Sequence, residues 1–341
     1  MLLVRRRLLL AFLALGGCPT AARKRPAPRD RKTESDAQPA EGLDERSSAG
    51  PGVSENDPEI DLWFGGDLHL GDLGPEVLAP LSTIVPAHGT GVLNLEGPIA
   101  ASTAEEQFLP GDVPVLRNSE SVPAVLRDLG VGVVGVANNH ADDHGEAGRG
   151  ATISLLRAAD LAVAGGDAGV ARIEREGIHL AITAHYLRPG QRPEFAAELR
   201  EARTRADHLI ATFHVDGPPS YLPSFELRAA VEVAIAASAS LIIAHGSHAL
   251  ARLERRDGSV IAWGLGNLAF ACHCTDEIDA ALLRVRLRRD AVTLVEWIPI
   301  AAGIEGAAVA PHPEPALLID LLASLGSSPG QRVGSRYRLD L

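Results

Sequence analysis

The chain has 341 residues, 46% hydrophobic and 22% charged, with a formal net charge of −12. That length holds one large domain or two smaller ones with ample core. The acidic balance excludes a nucleic-acid partner, which would need a basic face.

The first 18 residues have the order of a bacterial lipoprotein signal. Arg5-Arg6-Arg7 supply the positive region, Leu8 to Leu15 the apolar one, and Leu15-Gly16-Gly17-Cys18 a lipobox. The apolar stretch is too short to span a bilayer comfortably. The expectation is a mature protein that starts at a lipidated Cys18, anchored to a membrane outside the cytoplasm, in the periplasm or at the cell surface. Residues 19–56 are rich in Pro, Ser and charge and poor in large apolar residues, so they read as a disordered tether. Residues 57–341 form the folded domain, with no further linker and no internal repeat.

Within that domain Leu62-Trp63-Phe64 is a strand running into Gly65-Gly66-Asp67-Leu68-His69. Val77 to Val85 has helical spacing, and Gly91-Val92-Leu93 is a strand ending in Asn94-Leu95-Glu96-Gly97-Pro98. Ser121 to Leu129 is a helix that Ser121 is placed to cap. Val131 to Ala137 is a Val-rich buried strand, followed by Asn138-Asn139-His140-Ala141-Asp142-Asp143-His144-Gly145 and a helix from Ala151 to Leu161. Ala162 to Gly166 and Ile178 to His185 are strands, Pro193 to Ala206 a helix, and His208 to Phe213 a strand ending at His214. A long helix, Ser224 to Ala239, precedes the strand Leu241 to Ala244, which ends in His245-Gly246-Ser247-His248. Two hairpins follow, one turning at Asp257-Gly258 and one at Arg288-Arg289-Asp290. Pro315 to Leu325 is a terminal helix. Alternating strands and helices with late antiparallel hairpins predict an α/β fold with a mixed sheet.

Five strands run directly into polar residues: Asp67/His69, Asn94/Glu96, Asn139/His140, His214 and His245/His248. If the strands lie side by side, these groups gather along one edge, where open α/β sheets carry ligand sites. Asp, Glu, Asn and His without thiolate suit manganese, iron, zinc or magnesium. The seven of these that can serve as ligands, Asp67, His69, Glu96, Asn139, His214, His245 and His248, exceed the needs of one four-coordinate ion, and a bridging Glu96 would serve two ions in a hydrolytic site. Asp67 and His69, two apart on a strand, would face one ion. His140, beside Asn139, would protonate a leaving oxygen. Plain roles stay open for each: Asp67 as a turn cap, Asn94 and Glu96 bracketing a Gly-Pro turn, His69 on the surface, His214 and His248 as satisfied buried histidines. Cys272-His273-Cys274 reads first as two small cysteines in a loop, with a strained disulfide or a metal pair as alternatives. Arg252, Arg255 and Arg256 read first as a solvated hairpin face, or else as local charge for an anionic polymer.

The string Asn138-Asn139-His140-x-x-Asp143-x-Gly145-x-x-Gly148 resembles the central motif of the CapA-type proteins of poly-γ-glutamate capsule synthesis, within the calcineurin-like metallophosphoesterase superfamily. Gly66-Asp67, Asn94-Leu95-Glu96-Gly97 and Gly264-Leu265-Gly266-Asn267-Leu268-x-Phe270 match in order, and the resemblance covers roughly Ile60 to Ile300. It implies a four-layer αββα sandwich with mixed sheets and a site for one or two divalent ions (Mn, Fe or Zn). Asp67, His69, Glu96 and His248 would hold one ion. Glu96, Asn139 and His214, with His245, would hold the other. His140 would be the catalytic acid, and Asn94, Asp143 and Asn267 would support them. The implied partners are an anionic envelope polymer or phosphoester substrate and capsule-assembly proteins. A rival expectation is a non-catalytic subunit that keeps the fold and binds or anchors polymer. Two departures stand out. His214-Val215-Asp216 replaces the family's His-Trp-Gly. Gly246-Ser247-His248 replaces its His-Pro-His, with His245 one residue early, a shift that at a strand end turns a side chain to the opposite face.

Overall fold

Both faces of the central strands are apolar, so each strand must be covered on two sides. The computed structural model describes residues 57–341 except 102–107, 110–112, 217–219 and 273. The lipoprotein signal, the tether and His273 lie outside the described residues.

Among the described residues the strands form two large sheets. One runs in the order Gly330–Val333, Arg336–Leu339, Val292–Ala301, Asp279–Leu287, Ile60–His69, Thr90–Leu95, Val131–Gly135, Ala162–Ala164, with Asn267–Phe270 also pairing with the Ile60–His69 strand. The other runs Leu253–Arg256, Ser259–Ala262, Leu241–His245, His208–Val215, Ile178–Leu187, Ala171–Arg175. Strands 60–69, 90–95 and 131–135 are mutually parallel, as are 178–187, 208–215 and 241–245. Their carboxyl ends therefore share an edge within each sheet.

Strand parity sorts the core into layers. Leu62, Phe64, Val92 and Val133 of the first sheet meet Leu180, Ile182, Ile210 and Ile243 of the second in one buried cluster. The opposite face of the first sheet, through Trp63, Leu93 and Val134, packs on Leu126 of helix Val122–Asp128 and Ile153 and Leu156 of helix Gly145–Ala158. The opposite face of the second, through Leu209, Ala211 and Ile242, packs on Leu199 of helix Ala196–Thr204 and Leu227 and Val231 of helix Phe225–Ala236. Helices thus cover both sides of two packed mixed sheets, the expected sandwich. The terminal helix Pro315–Ser324 instead joins the inter-sheet cluster through Leu318, Ile319 and Leu322. No helix among the described residues is long and apolar enough to cross a membrane.

Several expectations need correction. The stretch read as a helix over Val77 to Val85 is two 3-10 segments, Pro75–Val77 and Ala79–Thr83. Pro75 and Pro80 lack the N–H groups that a continuous helix needs. Ser121 stands at the N-cap but makes no capping bond, whereas Ser224 accepts from Leu227 N at 3.1 Å. The helix after the central strand begins at Gly145, six residues before Ala151, because Gly145, Gly148 and Gly150 carry little helical signal. Cys272 and Cys274 are joined by a disulfide rather than standing free, their Cα atoms 5.2 Å apart, within the span of a bridge. Asp257 and Gly258 both take positive φ, 51° and 82°, as the expected type I′ turn requires.

Candidate metal centre

Asp67 reaches the inner face only through an irregularity in its strand. Phe64 lies opposite Val92 and Asp67 opposite Asn94, so three steps on one strand match two on its neighbour. This bulge sits at Gly65-Gly66 and turns Asp67 inward with Phe64. A Cβ on Gly66 would overlap the Gly266 carbonyl oxygen, the same oxygen that accepts from Asp67 N at 3.1 Å.

Asp67 is 1% exposed. Its Oδ1 accepts from Asn94 Nδ2 at 2.8 Å and its Oδ2 from the Gly246 N–H at 2.8 Å. His214 Nδ1 and His245 Nδ1 lie 3.7 and 3.6 Å from Oδ1, and His248 Nδ1 lies 3.6 Å from Oδ2. Burial pushes this carboxyl upward, but the three histidines and the Gly246 N–H outweigh it and hold Asp67 below its ordinary value.

Glu96 follows strand Thr90–Leu95 and is wholly buried, and neither carboxylate oxygen has a hydrogen-bond partner. Its Oε1 stands 3.9 Å from Nε2 of His140, of His214 and of His248. Burial, reinforced by Asp67, raises its carboxyl well above the usual range. The loop is clamped by Asn118, whose Nδ2 donates to the Glu96 and Gly97 carbonyls at 2.8 and 3.1 Å and whose Oδ1 accepts from Leu70 N at 2.9 Å.

The histidines are oriented by their second nitrogens. His140 Nδ1–H donates to Asp143 Oδ2 and His248 Nδ1–H to Asn267 Oδ1, each at 2.8 Å. In both rings that leaves Nε2 as the atom facing Glu96. His214 Nε2 bonds to Asn139 Oδ1 at 2.8 Å, and burial lowers this imidazole to about 3. Asn138, in the same motif, donates from Nδ2 to the Leu95 carbonyl at 2.8 Å and accepts the His140 N–H at 3.2 Å.

His245 lies on the inner face, not the opposite one. It continues the parity of Leu241 and Ile243, both in the inter-sheet cluster, and its Nδ1 has no hydrogen-bond partner. Gly246 has φ +84°, and a Cβ there would run into the Val215 carbonyl and the His214 ring. A histidine at 246 does not fit this backbone. The Gly246 N–H and the His245 ring stand against Asp67 instead.

His69 stands apart. It is fully buried against Phe270, its Nε2–H donates to the Arg117 carbonyl at 2.9 Å, and its Nδ1 has no partner. Burial lowers it to about 4. Among the described residues no carboxylate oxygen lies within 4.0 Å of either of its ring nitrogens. Asn118, Arg117 and the Gly246 N–H are the participants that sequence reasoning missed. They act from loops or through the backbone, where no periodicity marks them. In the late hairpin, Arg252 lies over the Trp263 ring at 4.5 Å and pairs with Glu254, and Arg256 pairs with Glu232, so both are engaged within the domain.

The cluster fits a divalent cation. Asp67, Glu96 and His214 offer ligand atoms all within 4.8 Å of one another, and all three are buried. Burying a carboxylate without hydrogen bonds costs on the order of a few kcal/mol, and a cation removes that cost. The donors are oxygen and imidazole nitrogen, the set that divalent manganese, iron and zinc accept.

The family model described as bacterial capsule synthesis protein PGA_cap matches residues 62–185 and 167–271. The chain is 26% identical over 231 residues to the PGA biosynthesis protein CapA of Bacillus subtilis (strain 168), an alignment covering 61% of this chain and 60% of that protein. It is 22% identical over 233 residues to the capsule biosynthesis protein CapA of Bacillus anthracis, covering 61% and 56%. The chain therefore spans under two thirds of the length of either relative. A crystal structure of a hypothetical protein from Thermus thermophilus superposes with a TM-score of 0.45 at 17% identity, covering 74% of this chain and 98% of that one.

Proposed function

Because the chain belongs to the bacterial capsule synthesis PGA_cap family, we propose that it serves the making of a capsule or cell-envelope polymer, through a metal-dependent hydrolase-type site, from a membrane anchor at Cys18. The observation that carries this reading is Glu96, a fully buried carboxylate without a hydrogen bond and ringed by three imidazole nitrogens at 3.9 Å. Such an arrangement is poorly stabilised unless a cation completes it.

Asp67, Glu96 and His248 would hold one ion, and Glu96, Asn139, His214 and His245 a second. When bound, a divalent ion supplies Lewis acidity toward the scissile ester or amide and activates water. The chain's own residues do the rest. Asn94 and the Gly246 N–H fix both oxygens of Asp67, and Asn267 fixes the ring of His248. Asp143 holds His140 in the orientation that presents Nε2 to the reacting group and stabilises the imidazolium that donates a proton there. Relatives named for capsule biosynthesis support an envelope location, and the lipobox supports anchoring outside the cytoplasm.

Metal content per chain after loading with manganese or zinc is the deciding experiment. One to two ions, lost in Asp67→Asn, would support the centre. No bound ion would overturn it. A second reading, a non-catalytic polymer-binding subunit, is favoured by Gly246 standing where the family carries histidine. Metal retention without turnover on any phosphoester or γ-glutamyl amide would select it.

A further inference from the structure

Two cysteines just past strand Asn267–Phe270 have no part in the proposed centre. Cys272 is bridged to Cys274 across a single intervening residue, with the Cα atoms 5.2 Å apart. Cys272 is buried in the same cluster as Leu68 and Phe270, whereas Cys274 is exposed. The bridge therefore has one end in the core and one end within reach of solvent.

A bridge of this span contributes little to the fold. Cross-links stabilise largely by restricting the unfolded chain, and the effect is smallest for the shortest loops. Exposed bridges are also the ones that exchange readily with thiols.

What this bridge does close is a loop tied to the centre. The Ala271 N–H donates to the His69 carbonyl at 2.9 Å. Phe270 packs on His69 and edge-on to His248, with ring centroids 5.4 and 5.1 Å apart. Beyond Cys274, the Glu277 N–H donates to Thr275 Oγ1 at 3.2 Å, and the Glu277 carbonyl accepts from Asn267 Nδ2 at 3.5 Å. That last contact is long for a hydrogen bond, so it depends on the loop keeping its path. The other end of the same amide, Asn267 Oδ1, accepts from His248 Nδ1 at 2.8 Å. One side chain thus touches the loop that the bridge tightens and orients the ring that faces Glu96.

We propose that Cys272–Cys274 is a thiol–disulfide exchange site that takes a dithiol as co-substrate, and that its reduction loosens His248 and weakens metal binding at the centre. One thiolate of the dithiol attacks the sulfur of exposed Cys274, forming a mixed disulfide and expelling the Cys272 thiolate, which takes up a proton. The second thiolate of the dithiol then attacks its partner sulfur in the mixed disulfide and expels the Cys274 thiolate, which is protonated in turn. Two electrons and two protons pass from the dithiol to the cysteine pair, and the dithiol leaves as a disulfide. The exchange half of the proposal stands on the bridge alone. The metal half rests on the reading of the Asp67–Glu96 cluster as a metal centre.

The test uses the full chain and two readouts. In the first, the folded protein is treated with dithiothreitol, and the thiols freed at Cys272 and Cys274 are alkylated and located by peptide mass. Both should appear together while circular dichroism stays native. A pair that remains oxidised until denaturant is added would overturn the exchange site. In the second, manganese affinity is compared for oxidised wild type, for wild type reduced and then freed of reductant without air, and for the double variant Cys272→Ser with Cys274→Ser. Manganese is chosen because thiolates are poor ligands for it, so the released cysteines add no site of their own. The reduced protein and the double variant should both bind about tenfold more weakly than the oxidised protein, as expected when the partner that orients a ligand is disturbed. Equal affinity in all three forms would overturn the coupling. Absence of manganese binding in oxidised wild type would sink the metal-centre reading and the coupling with it, while the alkylation result would still decide the exchange site.

Discussion

The Gly246 N–H donates to Asp67 Oδ2 across 2.8 Å, joining positions 179 residues apart, one on a strand of the first sheet and the other just past strand Leu241–His245 of the second. The bond is available because Gly246 takes φ +84°, which a residue with a Cβ adopts only at a cost. Gly246→Ala should destabilise the protein by about 1–3 kcal/mol and lower metal occupancy. Chemical denaturation with metal analysis on the same sample checks both. Unchanged occupancy in a folded variant would remove Gly246 from the support of Asp67.

Glu96→Gln should separate stability from function. Replacing an unpartnered buried carboxylate with a neutral amide removes a desolvation cost of about 1–3 kcal/mol. The metal-free variant should therefore melt at the same or a higher temperature than metal-free wild type, and should gain nothing from manganese or zinc. A variant still stabilised by metal would show that Glu96 is not a ligand.

The pH dependence follows from the same residue. The folded-state value of Glu96 is raised, so the folded protein holds its proton longer than the unfolded chain does. That contribution to metal-free stability is complete below the ordinary 4.5 and is lost as pH rises toward the folded value. Metal binding needs the deprotonated form, so the gap in melting temperature between loaded and metal-free protein should widen as pH rises. A gap that narrows would contradict the assignment.

His140→Ala should keep metal content and fold while reducing turnover by about 10²–10⁴-fold, and Asp143→Asn should fall between it and wild type. Undiminished turnover in His140→Ala would take the proton-donor role from His140.

Away from the centre, Glu296 is 2% exposed and pairs with Arg284, Arg336 and Arg338. Burial raises its carboxyl, but the Arg338 bond and the neighbouring guanidinium charges prevail and lower it. Glu296→Gln should cost about 2 kcal/mol at neutral pH. Because the folded value is depressed, the wild-type advantage is present above the ordinary 4.5 and disappears as pH falls through the folded value. Denaturation midpoints at neutral and strongly acidic pH measure it.

The strand ends are legible because apolar runs of fixed parity stop at polar residues, and this edge is the site. His245 can be placed by counting from Leu241 and Ile243, each two residues apart on one face. Aligning it to the family's His-Pro-His motif instead suggests the opposite face. Asp67 cannot be placed by counting, since the bulge breaks the parity that Ile60, Leu62 and Phe64 establish. The two-residue rule puts His69 beside Asp67, yet its ring is tied to the Arg117 carbonyl. Asn118 leaves no trace in the sequence, because it works by hydrogen bonds from a loop.

The doubled glycine at 65–66 makes the first strand depend on a bulge that composition would not reveal. Were the strand regular with both glycines kept, Asp67, three residues after Phe64, would point at the helices and Leu68 at the histidines. Deleting either glycine would instead leave Asp67 two residues after Phe64, on the inner face without a bulge, and would remove no side chain from the core or the site. The frame of this strand, counted in single residues, is thus as much a part of the centre as any ligand in it.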